Sequence, residues 1–332
     1  LSQNKSYIRI LDAGTGDVTI NSNIIKIFHR YHPYTSLLIT GKEISYEDLK
    51  NTLEKMPDRF AEHPNLLVTM TNVKFSELGL VETANKIKNK KIKELNLILD
   101  SDNSFDFNAQ ITGIKLGNFI KKYWGIEIDT KGKTSYANTC IIRILRRDNL
   151  RYLKGYLKND YKNNNYDLII ASQAYRAASS VKVKVDNVIG PLMRLLNKSG
   201  KLLVTHSYGG NGIQKVLKTA FKEKEAFPNR AKDIINYLKN NPTGENNLYN
   251  FSKPQNYGFY FRKAPDQTVT ELFGHNTDAK WANILYVGQI PEKDIQVVEK
   301  NSRLYNKVKK TIEGLGKIEF KNELFAITKT RS

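Results

Sequence analysis

The sequence predicts an α/β fold: a mostly parallel sheet with helices on both faces. Three observations predict it. First, the apolar run Ile8–Leu11 ends in Asp12-Ala13-Gly14-Thr15-Gly16-Asp17, and helix-like sequence follows from Asn23 to His32. Strand, tight turn and helix in that order open a βαβ unit. Second, the apolar runs Ser36–Ile39 and Asn65–Val73 are each followed by sequence of helical spacing. Third, Tyr166–Ser172 is nearly continuous in apolar residues, the form of a strand buried on both faces.

The elements follow in order. The second strand, Ser36–Ser45, ends in Lys42-Glu43-Ile44-Ser45, and Ser45 suits the N-cap of a helix over Tyr46–Lys55. A third strand, Asn65–Val73, ends near Asn72, and a helix follows through Glu82–Lys93. The spacing then changes. Leu95–Asp100, an amphipathic stretch to Trp124 and a strand over Thr139–Leu145 stand before the fourth core strand at Tyr166. Residues 95–150 therefore read as an insertion, a lid or a substrate-recognition element. Val185–Leu196 reads as helix, Asn197–Gly200 as a turn and Lys201–Ser207 as the fifth strand. Helices are expected over Gln214–Phe221, Ala231–Lys239 and Asp294–Thr311, and a strand over Trp281–Ile290. Residues 241–280 read as an irregular, substrate-side segment. Gly316–Phe320 and Leu324–Thr328 read as a closing hairpin around Lys321-Asn322-Glu323. No internal repeat is found, and the 332 residues read as one elaborated domain.

The bulk numbers bound the function. No apolar run reaches the ~18 residues of a membrane span. The sequence starts at Leu1 with no signal-type apolar region, which reads as a trimmed chain with elements upstream. Cys140 is the one cysteine, which excludes an intramolecular disulfide and a thiolate metal cluster and fits a reducing cytoplasm. His29 and His32 are three apart with no third ligand nearby, so no metal site is expected. The net charge is +20. Such a charge attracts nucleic acid, but Lys and Asn are spread along the whole chain, so RNA stays one possible partner beside a general compositional bias.

The glycine turn carries the chemistry. Glycine permits positive φ and close backbone approach to a ligand. Carboxylates at Asp12 and Asp17 would repel a diphosphate and suit a cationic or hydroxyl-rich group. The turn therefore reads as built for a nucleoside without phosphate, with S-adenosyl-L-methionine as the candidate. The same glycines also fit an ordinary strand-to-helix turn. Glu43 is placed to accept ribose hydroxyls, or is an exposed strand-end acid.

In combination, Ile10–Asp17, Thr40–Ser45, Tyr166–Ser172, Leu195–Val204 and the Asn322–Lys329 strand resemble the class I S-adenosylmethionine-dependent methyltransferase family, a Rossmann-like fold, in the form of its uncharacterised bacterial members. The resemblance implies a seven-stranded sheet with an antiparallel last strand. It implies that the backbone of Asp12, Ala13, Gly14, Thr15, Gly16 and Asp17 lies under the methionine part of the cofactor, and that Glu43 with Ile44 binds the ribose side. Asn72 and Val73 would face the adenine, although many relatives carry Asp at the first of these positions. Ser172 and Tyr175 follow the fourth strand and would line the catalytic pocket.

The acceptor is less legible. After the fourth strand the chain reads Ala171-Ser172-Gln173-Ala174-Tyr175, which departs from the pattern of enzymes that methylate exocyclic base amines. A proton on the acceptor needs a base. His206, at the end of the fifth strand, and Tyr175 are the candidates, and His206 also fits a local strand cap. The expectation is a cytoplasmic methyltransferase acting on an O or N atom of a small molecule or protein side chain. An RNA methyltransferase using the basic surface and a catalytically inactive binding subunit are the alternatives.

Overall fold

A computed structural model describes residues 7–16, 18–78, 92–128, 134–136, 138–150, 165–210, 212–221, 225–240, 248–260, 276–288, 290, 292–315 and 318–330. The helix expected through Glu82–Lys93 falls largely outside them, and so does Asp17. The chain divides into two compact units. The first is Leu1–Ala171, Pro191–Leu202 and Lys329–Ser332, and the second is Ser172–Gly190 and Leu203–Thr328.

The first unit contains β1 (Tyr7–Asp12), α1 (Thr19–Tyr31), β2 (Ser36–Lys42), α2 (Tyr46–Glu54), α3 (Met56–Glu62) and β3 (Leu66–Thr71). It continues with β4 (Ile92–Leu99), α4 (Ser104–Ile111), α5 (Ile114–Tyr123), the short pair β5 (Ile126–Ile128) and β6 (Thr134–Tyr136), β7 (Thr139–Arg146), β8 (Tyr166–Ser172) and the start of β9 (Leu196–Gly209). Its strand order is β9-β8-β1-β2-β3-β7-β4. β1 pairs in parallel with β2 and with β8, and β2 pairs in parallel with β3. Residues 95–150 thus supply strands that widen this sheet. β7 runs antiparallel to β3, and β4 runs parallel to β7. Phe107, Ile111, Leu116, Ile120 and Trp124 of α4, α5 and its C-cap enter one core with Ile10, Ile25, Leu37 and Val68. Ser45 caps α2 as expected, accepting from the Asp48 N–H at 3.1 Å, with Glu47 and Asp48 at the positive end of the helix.

The second unit contains α6 (Val181–Lys184), a π-turn at Val185–Ile189, the remainder of β9, α8 (Ile213–Phe221), α9 (Ala231–Asn240), β10 (Tyr249–Phe251), β11 (Gln255–Tyr260), α10 (Asn276–Gly288), α11 (Glu292–Lys300), α12 (Ser302–Glu313) and most of β12 (Glu319–Lys329). The short helix α7 (Gly190–Arg194) leads back into the first unit. Trp281, Ile284, Val298, Val308, Ile312 and Phe320 share its core.

Three expectations are corrected and one turn is found where expected. Trp281–Ile290 is not a strand but lies largely in α10. Trp281, Ile284 and Leu285 are buried at helical spacing, a period that so short an apolar run does not separate from a strand. The closing hairpin is one continuous strand, β12. Asn322 and Glu323 are buried within it, and β12 pairs antiparallel with β11 through Tyr257↔Asn322 and Asn256↔Glu323. The helix over Asp294–Thr311 is two helices, because the Asn301 side chain accepts from the Leu304 N–H at 3.1 Å and starts α12. Asn197–Gly200 is a tight turn, as expected, within the span of β9: a Cβ on Gly200 would stand 2.8 Å from the Asn197 carbonyl oxygen, and Ser199 takes φ 65°.

Candidate functional site

The glycine turn is held on every side by the first unit. The Ala13 N–H donates to the Ile170 carbonyl of β8 at 2.8 Å, and the Thr15 N–H donates to the Lys42 carbonyl at 3.1 Å. The two groups of Gly16 are both engaged. Its N–H donates to Glu43 Oε2 at 2.8 Å, and its carbonyl accepts from Thr52 Oγ1 of α2 at 3.0 Å. Gly16 itself stands at φ 53°, the left-handed region that favours glycine. Val18 follows at φ 62° and opens α1 without a side-chain cap.

Three ionisable groups are buried around this turn. Asp12 accepts from Asn21 Nδ2 at 2.9 Å and more weakly from the Gly14 N–H at 3.4 Å. Burial outweighs both bonds and pushes its carboxyl up to about 7. Glu43 accepts from the Ile44 and Ser45 N–H groups at 2.6 and 2.8 Å besides Gly16, yet burial still raises its carboxyl above the ordinary range. Lys42 lies with its ammonium 4.5 Å from the centre of the Phe75 ring, and burial lowers it to about 8.

Each residue singled out in the sequence has a place. Asp12, Ala13, Gly14, Thr15, Gly16 and Glu43 come together at the turn, and Ile44 is partly exposed beside them. Asn72 is buried, with its amide oxygen accepting from the Cys140 N–H at 2.8 Å and its Nδ2 donating to the Asn138 carbonyl at 3.1 Å. An adenine amine would therefore meet only the second lone pair of that oxygen. Val73 is buried, its N–H on Thr71 Oγ1 at 3.3 Å. Ser172, Tyr175 and His206 belong to the second unit. There the Tyr175 hydroxyl lies 3.4 Å from His206 Nδ1. His206 Nε2 lies 2.8 Å from the Asn229 carbonyl, which only accepts, so Nε2 carries the proton and Nδ1 holds the lone pair. Burial lowers His206 to about 4 and raises the Tyr175 phenol, so both are neutral at pH 7.

Two residues escaped the sequence reading. Asn21 holds Asp12, and Thr52 holds Gly16. Both are buried polar residues on the inward faces of α1 and α2, beside Ile25 and Leu49. A polar residue on an apolar stripe was the available signal.

No family model matches the chain, and no curated protein does. Among solved structures it is similar to a candidate methyltransferase from Bacillus halodurans, at 10% identity over 98% of this chain and 94% of that one, with a TM-score of 0.36. YjhP from E. coli is similar at 10% identity over 98% and 88%, with a TM-score of 0.42. A phosphoethanolamine N-methyltransferase from Haemonchus contortus, solved with phosphomonomethylethanolamine and S-adenosylhomocysteine, is similar at 8% identity over 98% and 95%, with a TM-score of 0.27. The fold is read from the molecule itself: the order β3-β2-β1-β8-β9, the Asp12–Gly16 turn after β1 and the acid after β2. By that order and that turn, the chain has the class I methyltransferase fold.

Proposed function

We propose that the chain is a methyltransferase that uses S-adenosyl-L-methionine and methylates an O or N atom of a small molecule or a protein side chain. The observation that carries this reading is the Glu43–Gly16 hydrogen bond. It joins the acid expected at the ribose to the glycine expected under the methionine. The residues suit the ligand: half-buried glycines at Gly14 and Gly16, where no side chain blocks approach, and acids at Asp12 and Glu43 for hydroxyls and a cation. When bound, the sulfonium supplies an electrophilic methyl group. Asp12–Asp17 would hold the methionine part, Glu43 with Ile44 the ribose side, and Asn72 and Val73 the adenine.

Ser172, Tyr175 and His206 are assigned to the acceptor side. His206 Nδ1 is placed to accept a hydrogen bond from the Tyr175 hydroxyl. Because both groups are neutral at pH 7, the pair offers a hydrogen-bonded path for one proton rather than a standing charge. Alignment of the acceptor would supply the larger part of the rate. We place the enzyme in the cytoplasm, where the lone Cys140, buried and pushed up to about 12, stays a thiol.

Calorimetry with S-adenosyl-L-methionine tests the reading. Binding that Gly14→Val abolishes, with circular dichroism unchanged, supports it. No binding by the folded wild-type chain would favour the inactive-subunit alternative. The net charge of +20 favours RNA as a second class of acceptor. Steeply salt-dependent RNA binding would select that reading.

A further inference from the structure

We infer that Arg230, with Tyr208 and Glu323 holding it, is a recognition site for an anionic group, a carboxylate or phosphate, on the acceptor. The assignment to an acceptor rests on the proposed methyltransferase reading; the anion site does not. Glu323 is a buried carboxylate in β12. Its Oε1 accepts from Arg230 Nε at 3.1 Å and from Nη2 at 2.7 Å, and its Oε2 accepts from the Ala231 N–H at 2.6 Å, at the start of α9. The guanidinium carbon lies 3.8 Å from the centre of the Tyr208 ring. Two independent contacts therefore fix the plane of a group that otherwise has wide rotamer freedom.

What is left over makes the site. The Arg230 side chain is 49% exposed against 6% for Glu323. Glu323 uses one edge of the guanidinium, and Nη1 has no partner among the described residues. The remaining fork of Nη1 and Nη2 has the geometry that takes a carboxylate or phosphate with two parallel bonds. The nearby Asp233 carboxylate is engaged by the Arg230 N–H at 2.8 Å. The placement fits an acceptor role. Tyr208 and His206 are two apart on β9 and share a face of the strand. The carbonyl that fixes the tautomer of His206 belongs to Asn229, the residue before Arg230.

The test uses the full chain, with arginine side chains labelled with ¹⁵N and no cofactor added. Inorganic phosphate, acetate and chloride are titrated at matched ionic strength, and the Arg230 Nε–H resonance is identified by its loss in Arg230→Lys. A saturable shift with phosphate or acetate but not chloride is expected, and the arm that saturates first names the anion. Tyr208→Leu should weaken it about tenfold, the scale of a lost cation–π contact that holds the guanidinium in place. If Arg230 moves no more than the exposed Arg147, or if Tyr208→Leu leaves the affinity unchanged, the inference is overturned. Because no step involves methyl transfer, absence of cofactor binding would remove the methyltransferase reading and leave this result standing.

Discussion

The Glu43 carboxylate accepts the Gly16 N–H at 2.8 Å, across a gap of 27 positions in the chain. It also accepts the N–H groups of its two following neighbours, so one buried side chain both shapes the end of β2 and anchors the turn after β1. Glu43→Gln keeps the size but puts a donor where three donors converge. Affinity for S-adenosyl-L-methionine should fall ~10- to 100-fold, the range for a lost bond to a charged group, as read by calorimetry.

Thr52→Val is nearly isosteric and removes only the hydroxyl that holds the Gly16 carbonyl. A loss of ~1 kcal/mol is expected, about fivefold in cofactor affinity, and Thr52→Ser should restore it. Thr40→Val removes a different buried hydroxyl, the one 3.2 Å from Tyr166 Oη, and should lower the melting temperature without changing that affinity.

Gly41 packs directly against the turn. A Cβ there would stand 2.7 Å from Thr15 Oγ1 and from Met70 Sδ. Gly41→Ala should cost ~1–3 kcal/mol of stability through overpacking, measured by urea unfolding. It should also weaken cofactor binding, since Thr15 must move.

Acid should destabilise the protein through two imidazoles. Burial holds His63 and His206 at about 4, well below the unfolded value near 6.5. Between these values the unfolded chain binds protons that the folded chain refuses. Stability is thus complete above pH 6.5 and falls toward pH 4 by ~1.4 kcal/mol per pH unit for each ring. Asp12 acts in the opposite sense. Its folded value near 7 exceeds the unfolded one, so its contribution is present at low pH and is lost as the pH rises through 7. Asp12→Asn removes that offset, and its stability should fall more steeply than wild type between pH 6.5 and 4 in urea titrations. Parallel profiles for the two proteins would refute the assignment.

The turn after β1 and its surroundings were legible because they depend on local pattern. An apolar run, two glycines and an acid after the next strand mark a βαβ unit, and Ser45 marks its helix. Residues 95–150 were legible as elements but not as a position, because nothing local tells β7 to pair antiparallel with β3 at Thr69↔Arg143. Trp281–Leu285 failed for a different reason: four or five apolar residues carry too little periodicity to separate a helix from a strand. Thr52, Asn21 and the Arg230–Glu323 pair depend on long-range contacts, the last across 93 positions, and no spacing rule reports those.

The first unit takes Pro191–Leu202 from between the two segments of the second and Lys329 from after it, and Lys329 Nζ closes on the Leu196 carbonyl at 3.0 Å. During synthesis the segment that carries the Asp12–Gly16 turn emerges early, but its unit is still missing a piece while residues 203–328 are being made. Its final closure therefore waits for the second unit to leave the ribosome, so a stalled or shortened chain would present an unfinished sheet to chaperones and proteases.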